Sequence, residues 1–167
     1  SFPGEVVSDF IQENENYFPK LENFATKVFN KIQNNNRAGY SSICEYLTKN
    51  HNINVKDVVP DEDKPFTKQF YPGTKNFILS DYLSLETKKL FAAAQVAQLE
   101  AGNIIDEYLN LFSFPTEESK KLSKVALLNY TGAAIIMPYK PFFDECVKQR
   151  YDVELLQNTF ATSFEQV

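Results

Sequence analysis

Tryptophan is absent from the 167 residues, methionine and histidine occur once each, and cysteine occurs twice. A single histidine, His51, leaves most histidine-based catalysis and most zinc sites without their usual side chains. Two cysteines, Cys44 and Cys146, are too few for a disulfide scaffold, and a reducing, cytoplasmic location is the simpler expectation. Only 5 glycines and 8 prolines argue against fibrous or low-complexity material. No apolar run reaches the ~18 residues of a membrane helix, and no signal-peptide pattern opens the chain, so no membrane partner is expected. Basic residues are outnumbered, 17 against 22 acids, for a net charge of -5. That balance gives no general pull towards nucleic acid or anionic membrane, although a local basic pocket is compatible with it.

What is present is ordinary for a globular chain: 43 % hydrophobic and 23 % charged residues. The length suits one domain, and the reading is a mostly helical α+β domain over residues 1–167. Val6, Val7, Phe10 and Ile11 recur at helical spacing, as do Leu21, Phe24, Ala25, Val28, Phe29 and Ile32. Asn16 to Pro19 separates these two helices, Pro19 suits a first turn, and Asn34-Asn35-Asn36 ends the second. A third helix covers about Tyr40–Asn50, which completes a helical region over about 5–50.

The period then shortens. Ile53 and Val55 alternate with polar neighbours, and Phe66–Tyr71 and Lys75–Ser80 flank a Pro72-Gly73 turn, with Gly73 at the position expected to need positive φ. These segments predict a three-stranded antiparallel sheet over about 53–80. Helices resume over about 85–167. Leu85–Phe112 reads as one long helix with Gly102 as its weak point. Thr116 is a cap candidate for a helix running to about Met137, with Glu117 and Glu118 complementing its dipole. Pro141–Gln149, Val153–Thr159 and Ser163–Val167 read as three shorter helices.

The stretch Asn129-Tyr130-Thr131-Gly132-Ala133-Ala134-Ile135-Ile136-Met137-Pro138 resembles the Ala-Asn-x-Phe-Ala-x-x-Leu-Leu-Met-Pro signature of the ImmA/IrrE family of metallopeptidase-like domains. That resemblance puts the family's His-Glu-x-x-His positions on Ala94, Gln95, Val96, Ala97 and Gln98, and implies a degenerate zincin-like fold. Asn16-Tyr17-Phe18-Pro19-Lys20-Leu21-Glu22 is similar to a stretch of the short-chain fatty acyl transcriptional regulators. So are Arg150-Tyr151-Asp152-Val153-Glu154-Leu155-Leu156 and Ser163-Phe164-Glu165-Gln166-Val167. Four motifs in register cover nearly the whole chain. The helix-turn-helix domain and Cys-containing tail usual in such regulators are not in this sequence, so it looks like an excised sensor domain.

His-Glu-x-x-His works because residues i and i+4 share one helical face, so two imidazoles hold one Zn²⁺ and the Glu acts as base. Here a methyl group (Ala94) and amides (Gln95, Gln98) stand at those positions, and residues 119–128 lack the acid that the resemblance implies as third ligand. The expectation is a pseudo-peptidase with no catalytic residue and no metal. The blander reading of Ala92, Ala93, Ala94 and Ala97 is close helix packing. The blander readings of His51, of the cysteines and of most aromatic rings are a solvated helix end, small core residues and core.

The resemblance implies a regulatory domain for transcription that takes a small-molecule effector, acyl-coenzyme A or coenzyme A, with no other cofactor. It implies DNA contact only through the missing helix-turn-helix domain. A homo-oligomer is expected. The ligand-binding candidates are Ala94, Gln95, Gln98, Asn129 and Tyr130 for the acyl thioester, Tyr71 and Lys75 on the hairpin wall, and Arg150 with Tyr151 for the coenzyme phosphates. Arg150 reads equally as a helix-terminal surface charge. The alternatives are a dimerisation or protein-interaction module without a ligand, and an active peptidase.

Overall fold

The computed structural model describes residues 2–138. Its first three helices are α1 (Pro3–Glu13), α2 (Pro19–Ile32) and α3 (Tyr40–His51). Proline stands in the first turn of both α1 and α2, where its missing N–H has no helical partner to lose. The joints between helices fall on residues that tolerate the left-handed region. Asn16, Asn35 and Asn36 have φ of 60°, 52° and 61°, Glu15 beside Asn16 has 56°, and Asn52, between α3 and the first strand, has 56°.

Three strands follow, β1 (Asn54–Val58), β2 (Lys68–Tyr71) and β3 (Asn76–Ser80). They form a mixed sheet in the order β1-β3-β2, not an antiparallel one, because β1 pairs with β3 in parallel. β2 and β3 make the expected hairpin, with Phe70 opposite Phe77 and Lys68 opposite Leu79. The chain leaves β1, passes to the far edge and returns through the centre. The turn also differs from expectation: Gly73 keeps a negative φ, and Lys75 takes the positive value, 59°. The Lys75 carbonyl accepts from the Asn54 N–H at 2.8 Å, which joins the turn to the start of β1.

The expected long helix divides in two, α4 (Leu85–Glu100) and α5 (Gly102–Asn110). Ala101, fully buried with φ -111° and ψ 10°, is the joint, so the weak point at Gly102 is a break. The break lets α5 fold back towards α6 (Glu117–Ile136). Thr116 caps α6 as expected: its hydroxyl accepts from the Ser119 N–H at 3.0 Å, and the Ser119 hydroxyl reaches back. The short helices expected over 141–167 lie outside the described residues.

α4 and α6 are the centre of the molecule. Leu90, Phe91, Ala92, Ala93 and Val96 share one apolar cluster with the sheet, α2, α3 and Ala133–Ile135. Ala97 and Ala101 share a second cluster with α1, Ile105, Leu109, Ala126, Leu127, Leu128 and Tyr130. α4 and α6 therefore run antiparallel. Their closest approach is at Gly132, where an added Cβ would lie 2.8 Å from the Ala94 nitrogen, 3.1 Å from its Cα and 3.2 Å from the Leu90 oxygen. All three are backbone atoms, which cannot swing aside.

Gly132→Ala should therefore lower stability by about 1–3 kcal/mol through overpacking, despite the ~1 kcal/mol that alanine gains over glycine in an open helix. Urea denaturation of the chain and its variant measures the difference. A stabilised variant would mean that the two helices separate freely.

Candidate functional site

Along α4, every residue from Leu90 to Ala97 is buried, whereas Gln98 is exposed. Gln95 is 2 % exposed, and its Nε2 has no hydrogen-bond partner. Asn129 on α6 is 1 % exposed, and its Nδ2 also lacks one. A buried amide donor left unmet costs about 1–3 kcal/mol. Two such donors come from the two helices that meet at Gly132. A third buried group, the Ser123 hydroxyl, is also unpartnered.

The other candidates separate. Ala94 is buried against Gly132, so its small size is used in helix packing. Tyr130 is buried in the second cluster, where its ring meets Phe18 edge-on at 5.1 Å between centroids and its hydroxyl accepts from the Phe18 N–H at 3.2 Å. Tyr71 is exposed and donates to Gln69 Oε1 at 2.9 Å. Lys75 is exposed in the hairpin turn. Arg150 and Tyr151 lie outside the described residues.

Lys68 was not among the sequence candidates. It lies on the sheet face that carries Phe70, is 9 % exposed, and holds its ammonium 4.8 Å from the centroid of the Phe91 ring. Burial pushes its pKa down to about 7. The alternation Phe66, Lys68, Phe70 is a signal that could have found it, since residues i, i+2 and i+4 of a strand share a face. Phe91 stands four residues before Gln95 on α4, so the two share a helical face one turn apart.

Charged groups elsewhere are tied into the fold. Lys88 bridges Asp81 at 2.8 Å and Asp57 at 3.3 Å, and the hydrogen bond to Asp81 is the main reason its pKa rises. His51 is half-buried rather than a solvated helix end: its Nε2 lies 2.6 Å from Glu100 Oε2. The Tyr46 hydroxyl donates to the other Glu100 oxygen at 3.0 Å, and burial first, then that bond, pushes the phenol pKa to about 12. Cys44, expected as a core residue, is half-buried, and burial raises its thiol pKa.

The donor set at the signature positions does not fit a metal. Ala94 offers a methyl group pressed onto backbone, Gln95 an amide and Gln98 an exposed amide. Among the described residues, no three His, Cys, Asp or Glu side chains come together as a metal-binding group. None of the described helices is long and apolar enough to cross a membrane.

The profile of the IrrE N-terminal-like domain family of peptidases matches residues 49–167. The chain is 28 % identical to the HTH-type transcriptional regulator RamB of Mycobacterium tuberculosis, over 100 % of this chain and 35 % of that protein. It is 25 % identical to the HTH-type transcriptional regulator PrpR of the same organism, over 99 % of this chain and 34 % of the relative. It is 27 % identical to the propionyl-CoA carboxylase regulator of Cereibacter sphaeroides, over 99 % and 34 %. The chain thus spans about a third of the length of these relatives. A solved Mycobacterium tuberculosis transcriptional regulator shares the fold with a TM-score of 0.76 and 24 % identity, over 99 % of this chain and 50 % of that one.

Burying Lys68 has a pH signature. Its folded pKa of about 7 lies below the ordinary 10.5, so the cost of burial is fully present below pH ~7 and fades as pH rises towards 10.5. Lys68→Met should raise stability more at about pH 6 than at about pH 9 in urea melts. An equal gain at both would show that folding leaves the basicity of Lys68 unchanged.

Proposed function

The chain belongs to the IrrE N-terminal-like domain family, and on that premise we propose that it is the ligand-sensing domain of a transcriptional regulator. Its effector is a short-chain acyl-coenzyme A, bound beside α4 where a zinc-bearing relative would hold its metal. The observation that carries this reading is the buried, unpartnered Nε2 of Gln95 at the position of the family's catalytic Glu. An amide N–H held without an acceptor suits the carbonyl oxygen of a thioester, and the unpartnered Asn129 Nδ2 offers a second donor. An amide, unlike a carboxylate, cannot serve as general base near neutral pH, so a thioester would be held without being hydrolysed.

On this reading residues 1–167 form one sensor domain, and DNA is contacted by another part of the regulator, as the names of the relatives suggest. The acyl group points into the protein. The pantetheine leaves past the exposed Gln98, with the hairpin residues Tyr71 and Lys75 on one side. Arg150 and Tyr151 meet the phosphates, where charge-assisted bonds are strongest. The domain acts in the cytoplasm as a homo-oligomer.

One observation favours a different reading, a ligand-free interaction module: Ala94 is closed off by Gly132 and adds no space to a cleft. Ligand titration separates the two. Acetyl- or propionyl-coenzyme A at 100 times its dissociation constant should stabilise the chain by about 2.7 kcal/mol. No heat in calorimetry and no melting shift with any acyl-coenzyme A would support the module instead.

Gln95→Leu removes the orphaned donor while keeping similar bulk. The unliganded variant should be as stable as the parent or about 1 kcal/mol more stable. Its affinity for propionyl-coenzyme A should fall about tenfold, which is about 1.4 kcal/mol. Unchanged affinity would move the ligand away from Gln95.

A further inference from the structure

We propose that Gln95 and Asn129 together read the thioester carbonyl, so that the domain answers to the acylated form of coenzyme A and not to the free thiol. The inference rests on the acyl-coenzyme A reading above and assigns the specificity of that site to a pair of amides. α4 and α6 run antiparallel and touch at Ala94 and Gly132. Gln95 lies one residue after Ala94, and Asn129 three residues before Gly132. Both are therefore displaced in the same direction along the helix pair, by about 1.5 Å and about 4.5 Å. At about 100° per residue, both also turn off the contact line to the same side of the pair. Gln95 Nε2 and Asn129 Nδ2, each on a residue no more than 2 % exposed and each without a partner, thus stand on one flank of the crossing. Ser123, the third unpartnered group, is about two and a half turns before Gly132 and so faces away from α4.

A carbonyl oxygen has two lone pairs and accepts two N–H donors at once. A thioester offers one such oxygen at the junction of acyl group and carrier. The thiol of free coenzyme A offers only a weak donor and a weak acceptor in its place, and leaves both amides unmet. A site built from buried donors rejects a ligand that cannot satisfy them, because the donors have already left water. The two amides stand on different helices, so one oxygen held by both also ties α4 to α6 beside their closest contact.

Calorimetric titration of the 167-residue chain with propionyl-coenzyme A, S-propyl-coenzyme A and free coenzyme A tests this. The propyl thioether keeps the length of the acyl chain and has a methylene in place of the carbonyl. Propionyl-coenzyme A should bind about tenfold or more tightly than either of the others, as two net hydrogen bonds require. Gln95→Leu and Asn129→Leu should each lower the ratio of propionyl to propyl affinity, and the double variant should bring the two affinities within about threefold. In proton–nitrogen NMR spectra of the parent chain, the side-chain amides of Gln95 and Asn129 should shift further with propionyl-coenzyme A than with the propyl thioether. Thermal melting reports whether each variant folds; if one does not, the ratio and the spectra of the parent chain still decide. Equal binding of propionyl-coenzyme A and the propyl thioether overturns the reading of the carbonyl and leaves the sensor reading standing. A ratio that survives in the folded double variant overturns the assignment to these amides. A ratio abolished by one single substitution and untouched by the other overturns their pairing. Failure of all three ligands overturns the sensor reading and this inference together.

Discussion

The close approach of α4 and α6 at Gly132 is the constraint on which the rest of the structure depends. No side chain fits between Gly132 and the backbone of Ala94, so the two helices touch almost main chain to main chain. This contact falls on Ala94, one of a run of buried alanines in α4. Ala92, Ala93, Ala94 and Ala97 are all buried: Ala92 and Ala93 in the cluster that includes the sheet, Ala97 in the cluster that includes α1 and α5, and Ala94 with its backbone against Gly132. Both apolar clusters are built outward from this pair, one towards the sheet and one towards α1 and α5.

The same closeness governs the polar groups. Most buried polar side chains have found partners within the fold. Thr131 donates to the Leu127 carbonyl at 2.7 Å, and the Tyr130 hydroxyl accepts a backbone N–H. Gln95 on α4 and Ser123 and Asn129 on α6 depart from that pattern. Protein interiors leave few such groups unmet, because each costs free energy that packing does not return. Their presence on α4 and α6 sets this region apart from the ion pairs that tie the periphery together. Lys88 links the start of α4 to β1 and to the residue after β3, and Glu100 links its end to α3.

Between Leu90 and Ala97 α4 is a packing surface that includes one buried amide, Gln95. Ala94, which the resemblance sets at a metal-ligand position, lies with its backbone against Gly132 of the neighbouring helix. Gln95 has the length of a glutamate but carries a donor nitrogen in place of one oxygen, so it can offer a hydrogen bond and cannot take up a proton near neutral pH.

What the sequence determined by itself was local. Pro19, the asparagines at 34–36, Thr116 and Gly102 each mark a helix boundary, because capping and backbone preferences act within a few residues. The shift from helical to alternating period located the strands, and short motifs in register identified the family. Only the tertiary structure decided which strands pair. The alternation in Asn54–Val58 says which face is inward and nothing about whether the partner runs parallel, so the mixed sheet was not legible. Nor could spacing distinguish the buried Gln95 from the exposed Gln98, since three residues apart on one helix they differ only in what lies over them. His51 and Glu100, 49 residues apart, and Lys68 over Phe91 depend on elements meeting across the core. Such contacts form when distant segments pack, and the residues on either side of them in the chain carry no record of the partner.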